Sequence, residues 1–192
     1  MKLKMVVLVA GVLAAFAGVA QAATIDIKQY PTGFFVDVDA NKGSAPYYRW
    51  FNQDWGWTHG AIGAGFATAT LNVSAYDVDA NQGELDEIFA MDSGLWVSLG
   101  FLAGGNNIWS YTTFALGASF FDDIANGLQV TMDIDTTHNY NNWAVTLAKS
   151  VLSTDGGTIP DPDPNPVPEP ASLVLIGSGL AGLALRRKRS KK

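Results

Sequence analysis

The stretch Ala69-Thr-Leu-Asn-Val-Ser-Ala-Tyr76 alternates between apolar and polar residues, with Leu71, Val73 and Ala75 on one face. Because successive side chains of a strand point to opposite faces of a sheet, this period of two predicts a strand with one face in a core. The same alternation recurs in Leu128–Ile134. These two stretches indicate a protein built from strands.

Further strands are predicted on both sides of these stretches, separated by turns rich in Gly, Asn and Asp. The stronger ones are Leu95–Leu102, Ser110–Leu116 and Trp143–Leu147, and the weaker ones are Thr24–Gln29, Phe34–Val38 and Tyr47–Phe51. Residues 118–125 are predicted to form a short helix before Gly127. Many short strands are typical of a sandwich. The sequence therefore predicts an all-β domain, a single β-sandwich of jelly-roll type.

This predicted sandwich covers residues 23–157 and is preceded by the features of an export signal. Lys2 and Lys4 form a charged start, Met5–Val19 is apolar, and Ala20-Gln-Ala22 is a small-x-small cleavage site. Residues 1–22 are therefore predicted to be a signal peptide that is removed on export.

Three segments follow the predicted sandwich. Residues 158–170 carry Pro at every even position from 160 to 170, which predicts an extended polyproline II stalk. Residues 171–185 are an apolar run that predicts a transmembrane helix, and residues 186–192 hold six Lys and Arg. Positive charge after the run places this basic tail in the cytoplasm and everything before the run outside.

The stalk ends in Val167, Pro168, Glu169 and Pro170, directly before the apolar run and the basic tail. This order resembles the PEP-CTERM sorting signal of Gram-negative bacteria, in which Pro-Glu-Pro marks the site for a transpeptidase-like membrane enzyme, an exosortase. The resemblance implies an exported protein with exosortase as a partner. It would be an inner-membrane intermediate first, and would then be at the cell surface or extracellular. A plain single-span anchor is the alternative.

The charge of the central domain limits its partners. Between Thr24 and Ile159, four Lys and Arg stand against fifteen Asp and Glu, a net charge of −11. Such a surface repels phosphate backbones, so nucleic acid is not an expected partner, whereas divalent cations and neutral glycans are. The chain has no cysteine, so its stability must come from the core, helped by any bound metal.

One seven-residue stretch occurs twice. Asp37-Val-Asp-Ala-Asn-Lys-Gly43 (the first loop) returns 40 residues later as Asp77-Val-Asp-Ala-Asn-Gln-Gly83 (the second loop), with six of seven positions identical. Closely spaced oxygen side chains on a turn suit a hard cation such as Ca²⁺. The predicted calcium ligands are Asp37, Asp39 and Asn41 in the first loop, and Asp77, Asp79, Asn81, Glu84 and Asp86 in and after the second. The alternative is that these residues simply make good turns.

The aromatic residues suggest a second kind of site. Trp55 and Trp57, next to Asp54, could form a platform on which a sugar ring stacks, while core packing is the alternative for both rings. The run from Asp77 to Val145 also resembles a galactose-binding-like jelly-roll module of extracellular bacterial proteins. That resemblance implies a calcium-supported sandwich that binds carbohydrate or matrix.

Catalysis is not predicted. His59 and His138 stand without a nucleophile or metal-ligand spacing and are expected to be solvated loop residues, and no carboxylate pair is singled out for glycoside hydrolysis. The sequence thus predicts an exported, exosortase-processed protein of the cell surface or extracellular matrix that binds calcium and exopolysaccharide. The alternatives are a secreted glycan hydrolase or lyase, and a purely structural, self-associating surface protein.

Overall fold

The computed structural model describes residues 23–137 and 143–157. Within these ranges the chain forms nine strands and one α-helix. The strands are β1 (Thr24–Gln29), β2 (Arg49–Trp50), β3 (Trp55–Thr58), β4 (Ala69–Tyr76), β5 (Glu87–Asp92), β6 (Leu95–Phe101), β7 (Trp109–Leu116), β8 (Gln129–Asp133) and β9 (Ala144–Thr154). The helix α1 (Phe121–Asn126) follows a 3₁₀ turn at Ala118–Phe120, so the predicted short helix is confirmed.

The strands form two antiparallel sheets. The first sheet has the order β1-β9-β4-β7, and β2 also pairs with β9; the second has the order β3-β8-β5-β6. Leu71 of β4 lies opposite Leu152 of β9 on one side and Phe114 of β7 on the other. The strand that the sequence marked most clearly is therefore central in the first sheet.

A single hydrophobic core joins the two sheets. Leu71, Val73 and Leu147 enter it from the first sheet, Val130 and Met132 from the second, and all five are buried. Ile124 of α1 is also buried in this core. Two antiparallel sheets over one core form an all-β sandwich, so the predicted fold class is confirmed at that level.

Some predicted strands differ from the observed ones. Phe34–Val38 is not a strand, although Phe35 and Val36 are buried and the Val36 N–H donates to Leu147 O at 2.9 Å. Tyr47–Phe51 shortens to the two residues of β2. Burial of apolar side chains does not require a ladder of backbone hydrogen bonds, and the sequence pattern reports only the burial.

Two strands were not predicted, and one is longer than expected. β5 lacks alternation because the partly exposed Phe89 and Met91 are as apolar as the buried Ile88 and Ala90. β3 has only four residues. β9 is buried along all eleven residues, including polar ones such as Lys149. Its apolar and polar residues therefore do not alternate with burial, and the prediction gave only the first part of the strand.

Several predicted segments lie outside the described residues: the signal peptide 1–22, the stalk 158–170 with its Pro-Glu-Pro motif, the transmembrane helix 171–185, the basic tail 186–192, and His138. Within 23–137 and 143–157, no helix has both the length and the apolar character needed to cross a membrane.

Candidate functional site

The second loop leads from the end of β4 towards β5 at one end of the sandwich. Asp77 starts it in the left-handed region at φ +65°, and Gly83 ends its 3₁₀ turn at φ +102°. The Asp77 carboxylate accepts from the Tyr48 hydroxyl at 2.7 Å and from the Asn107 N–H at 2.6 Å. Two distant segments therefore hold this carboxylate in place.

Two buried carboxyl groups follow the second loop. Glu84 is 1% exposed, and its Oε2 accepts from the Asp79 N–H at 2.6 Å. Asp86 is fully buried, and its Oδ1 accepts from the Asp135 N–H at 3.1 Å. The remaining oxygens, Glu84 Oε1 and Asp86 Oδ2, have no hydrogen-bond partner in the described part of the chain. A buried polar atom without a partner is costly, so these two oxygens are suited to a ligand.

Burial and neighbouring negative charges both favour the neutral form of these two carboxyls. Burial, followed by the charge of Asp86, raises the pKa of Glu84 to about 9. Burial also raises the pKa of Asp86 to about 7, against the hydrogen bond from the Asp135 N–H, which lowers it, and the charges of Asp135 and Asp133 add to the rise. A cation would favour the ionised form of both groups, because an opposite charge nearby lowers a carboxyl pKa.

The first loop satisfies its own carboxylates. Asp39 accepts from Lys42 Nζ at 2.8 and 2.9 Å and from Trp109 Nε1 at 2.8 Å, and the hydrogen bond from Lys42 is the main reason that the pKa of Asp39 is lowered. Asp37 accepts from the Asn41 amide at 2.9 Å, which lowers its pKa as well. The positive charge that a metal would bring is already present as the Lys42 ammonium.

The predicted calcium ligands are only partly brought together. Glu84 and Asp86 come close enough to interact, and Asp77 and Asp79 act on Glu84 through their charge, whereas Asn81 is exposed. Among residues 23–137 and 143–157, no three His, Asp or Glu side chains surround a common point that could hold a metal ion. Any cation here would need backbone carbonyls or water to complete its shell, as calcium sites commonly do.

The aromatic residues predicted to stack on sugar lie in the core. Trp55 and Trp57 are 8% and 6% exposed, and their ring centroids lie 6.0 and 5.4 Å from that of Phe35. Asp54 Oδ1 accepts from the Ile134 N–H at 2.9 Å. Neither indole offers an open face, which corrects the predicted stacking role: core packing, the alternative, is what the structure has.

His59 is buried rather than solvated, in contrast to the expectation. It is 1% exposed, with Nδ1 at 2.8 Å from Asp26 Oδ2 and Nε2 at 2.9 Å from Ser150 Oγ. Burial lowers its pKa to about 4, against the opposing hydrogen bond of Asp26. The sequence held no signal for this, since Asp26 and Ser150 are 33 and 91 residues away.

The order Asp26–His59–Ser150 is also that of an activated serine nucleophile. Ser150, however, is fully buried in β9, so its hydroxyl cannot meet a substrate in this conformation. The three side chains instead join β1, the loop after β3, and β9. The neutral His59 ring hydrogen-bonds to both of the other side chains, so the three residues form a polar network that connects these segments inside the sandwich.

Sequence comparison identifies the C-terminal segment. The model of the PEP-CTERM protein-sorting motif matches residues 166–189, so the chain carries this motif, as the sequence predicted. The motif defines a class: secreted proteins that an exosortase processes and that are membrane-anchored before processing. No curated protein matches the chain.

Solved structures resemble the sandwich weakly. Latent aurone synthase, a polyphenol oxidase, has a TM-score of 0.40 and 13% identity over 67% of this chain and 28% of its own. The module titled CBM35 from Cellvibrio japonicus Abf62 has a TM-score of 0.33 and 14% identity over 71% of this chain and 95% of the module. The tobacco streak virus coat protein has a TM-score of 0.32 and 14% identity over 76% of this chain and 95% of the coat protein. This chain therefore spans less than a third of the aurone synthase chain.

Proposed function

We propose that this protein is an exosortase-processed component of the cell surface or extracellular matrix, whose β-sandwich, of jelly-roll type, binds calcium and polysaccharide. The observation that carries the proposal is the PEP-CTERM motif at residues 166–189. A processed C-terminus leaves the sandwich as the part of the protein that meets the outside. We propose that the function of the sandwich is binding.

The calcium part of the proposal rests on Glu84 and Asp86. Each has a buried oxygen without a hydrogen-bond partner among the described residues, and both lie next to the second loop. A hard divalent cation prefers carboxylate oxygens and would compensate their charge. Asp77 and Asp79 of the same loop act on Glu84 through their negative charge and would add to the attraction of a cation, while backbone carbonyls and water would complete its shell.

The polysaccharide part is supported by charge and exposure. Fifteen acidic against four basic residues between Thr24 and Ile159 disfavour anionic partners, whereas a neutral exopolysaccharide is not repelled. The sandwich also exposes large apolar side chains, including Trp96 at 48%, outside its core. Exposed aromatic rings with polar neighbours are common at sites that bind ligands.

We propose no catalytic role. The buried Ser150 of the Asp26–His59–Ser150 network supports a structural use of these residues. The rival function is a glycan hydrolase or lyase that uses loop carboxylates. Turnover of a matrix polysaccharide that disappears when a single carboxylate is replaced would favour the rival.

The sorting proposal is tested in cells of the native host. We expect deletion of Val167–Lys192 to abolish C-terminal processing and to change where the protein accumulates. Replacement of Pro168, Glu169 and Pro170 by alanine, with the apolar run intact, should leave an unprocessed, membrane-held protein. Unchanged processing and location in both variants would contradict the proposal.

A further inference from the structure

The outer face of the second sheet carries a shallow depression at one indole ring. The Trp96 depression has a volume of about 310 Å³ and is lined by Gly56, Thr58, Trp96, Gln129 and Thr131, with Trp57 and Val130 in its floor. Its volume is at the lower end of the range for small-ligand sites. It lies on the opposite face of the sheet from the core.

The register of the second sheet explains how these residues meet. Thr131 of β8 lies opposite Gly56 of β3 and Phe89 of β5, and Phe89 lies opposite Ser98 of β6. Trp96, two residues before Ser98, is therefore on the same face. Gln129, two residues before Thr131, lies opposite Thr58 on that face as well.

Gly56 keeps the depression open. A Cβ atom at this position would lie 2.8 Å from Val130 O, closer than such atoms approach, so a larger residue does not fit there. Glycine inside a strand is typical of a place where another group comes close to the backbone. The missing side chain leaves room beside the Trp96 ring.

The chemistry of the lining indicates its ligand. The Trp96 side chain is 48% exposed, while Thr58, Gln129 and Thr131 add hydroxyl and amide groups, and none of the seven lining residues is charged. A flat indole complements the C–H face of a pyranose ring, and hydroxyl and amide groups hydrogen-bond to its edge. We propose that the Trp96 depression binds a neutral hexopyranose unit of a polysaccharide. This inference rests on the proposed function and replaces Trp55 and Trp57 with a different platform.

A second copy of the chain is the competing occupant. β6 is an edge strand of the second sheet, carries no charged residue, and exposes Leu95 at 71% and Phe101 at 46%. Such an edge is suited to pairing with another strand. Pairing along the β6 edge would not use Gly56 and Thr58 of β3 or Gln129 of β8, which lie on strands away from that edge. A glycan in the depression would contact all three.

The test is the affinity of the full-length protein in detergent micelles for dextran, a soluble β-1,4-glucan and a neutral galactan, measured by calorimetry. We expect one of these to bind, Trp96→Ala to weaken it about tenfold or more, and Trp96→Phe and Gln129→Ala to weaken it less. Trp50→Ala is the matched control, because Trp50 is 39% exposed and belongs to the first sheet. It should bind within about twofold of the wild type.

The outcomes separate the site from the function. Glycan binding that survives Trp96→Ala rejects this site and leaves polysaccharide binding standing. Binding that is lost in Trp50→Ala instead also rejects it. No binding of any of the three glycans rejects both the site and the polysaccharide part of the function, while the sorting proposal is judged separately by location. Concentration-dependent dimers that Trp96→Ala abolishes, without glycan binding, would assign the ring to self-association.

Discussion

The first and second loops have the same sequence except at one position, Lys42 against Gln82. In the first loop, Lys42 Nζ lies 2.8 Å from Asp39 Oδ1. In the second, the neutral Gln82 amide donates to Asp79 Oδ1, also at 2.8 Å. The hydrogen bond to the Asp carboxylate is present in both copies, but only the first copy has a charged donor. One copy contains its own cation, and the other leaves its carboxylates without one.

The residues after each loop increase this difference. Ser44 and Pro46 occupy the positions that correspond to Glu84 and Asp86. The second loop therefore adds two buried carboxyls with raised pKa values, and the first adds none. The two copies of the motif therefore differ in how far neighbouring residues compensate their negative charge.

The largest expected effect is stabilisation by calcium. A ligand that binds only the folded state at about one hundred times its Kd stabilises by about 2.7 kcal/mol. For a domain of this size we expect Tm to rise by roughly 10 °C over that in EDTA. Glu84→Gln combined with Asp86→Asn should remove the rise, as measured by a thermal melt of the full-length protein.

The matched control acts on the first loop. Asp37→Asn combined with Asp39→Asn should lower Tm slightly and leave the calcium-induced rise intact. Because both double variants exchange carboxylates for amides of the same shape, a difference between them reports the site rather than the change in net charge. The comparison between the loops fails if the Glu84 and Asp86 variant keeps the full rise.

The next largest effect is the pH dependence without divalent cations. Glu84 and Asp86 have pKa values raised to about 9 and 7. The contribution of these two carboxyls to the stability of the folded state is complete below their pKa values in the unfolded chain, near 4. It is lost as pH rises through 7 and towards 9, because the unfolded chain releases the protons first. We therefore expect Tm in EDTA to fall by several degrees across that window, and Glu84→Gln to flatten the fall.

At acid pH, the stability of the protein depends on other titratable groups. The lowered pKa values of Asp37 and Asp39 give stability that is lost only as pH falls below about 4. His59, whose pKa is about 4, loses its contribution as pH falls from 6.5 towards 4, because the unfolded chain takes up the proton first. A Tm in EDTA that is constant from pH 6.5 to 9 would show that Glu84 and Asp86 are not destabilised by ionisation.

The sequence predicted the fold class because alternation directly reports one-sided burial. It predicted β4 and β1 with their observed bounds, Ala69–Tyr76 and Thr24–Gln29. It missed β5, where apolar Phe89 and Met91 lie on the outer face and remove the alternation. Exposed and buried apolar residues are of the same types, so the sequence pattern alone cannot distinguish them.

The sites were harder to predict for the same reason. Trp57 and Trp96 are the same amino acid, but one lies in the core and the other is half exposed. The repeated acidic loop was visible, whereas the decisive pairs, Lys42 with Asp39 and Glu84 with Asp86, depend on contacts. The sequence showed the additional carboxylates after the second loop, but not that Lys42 pairs with Asp39 or that Glu84 and Asp86 are buried.

A smaller effect is expected from moving the lysine between loops. Gln82→Lys would place an ammonium next to Asp79, as Lys42 lies next to Asp39. We expect the calcium affinity to fall about tenfold through repulsion and the stability in EDTA to rise by about 0.5 kcal/mol. Calorimetric titration with calcium measures the first, and Gln82→Met, which has similar length and no charge, should bind calcium almost as the wild type. Equal calcium affinity in Gln82→Lys would contradict the role of charge at this position.

The smallest effect is expected from the reciprocal change, Lys42→Gln. The side chains of Lys42 and Asp39 are 30% and 33% exposed, so loss of their ion pair should cost only about 0.5 kcal/mol. The change makes the first loop identical to the second, but Ser44 and Pro46 still supply no carboxylate. We therefore expect calorimetry to give the same number of calcium ions per chain as in the wild type. One additional ion would mean that Lys42 alone prevents calcium from binding to the first loop. It would also mean that buried carboxyls such as Glu84 and Asp86 are not required for a loop of this sequence to bind calcium.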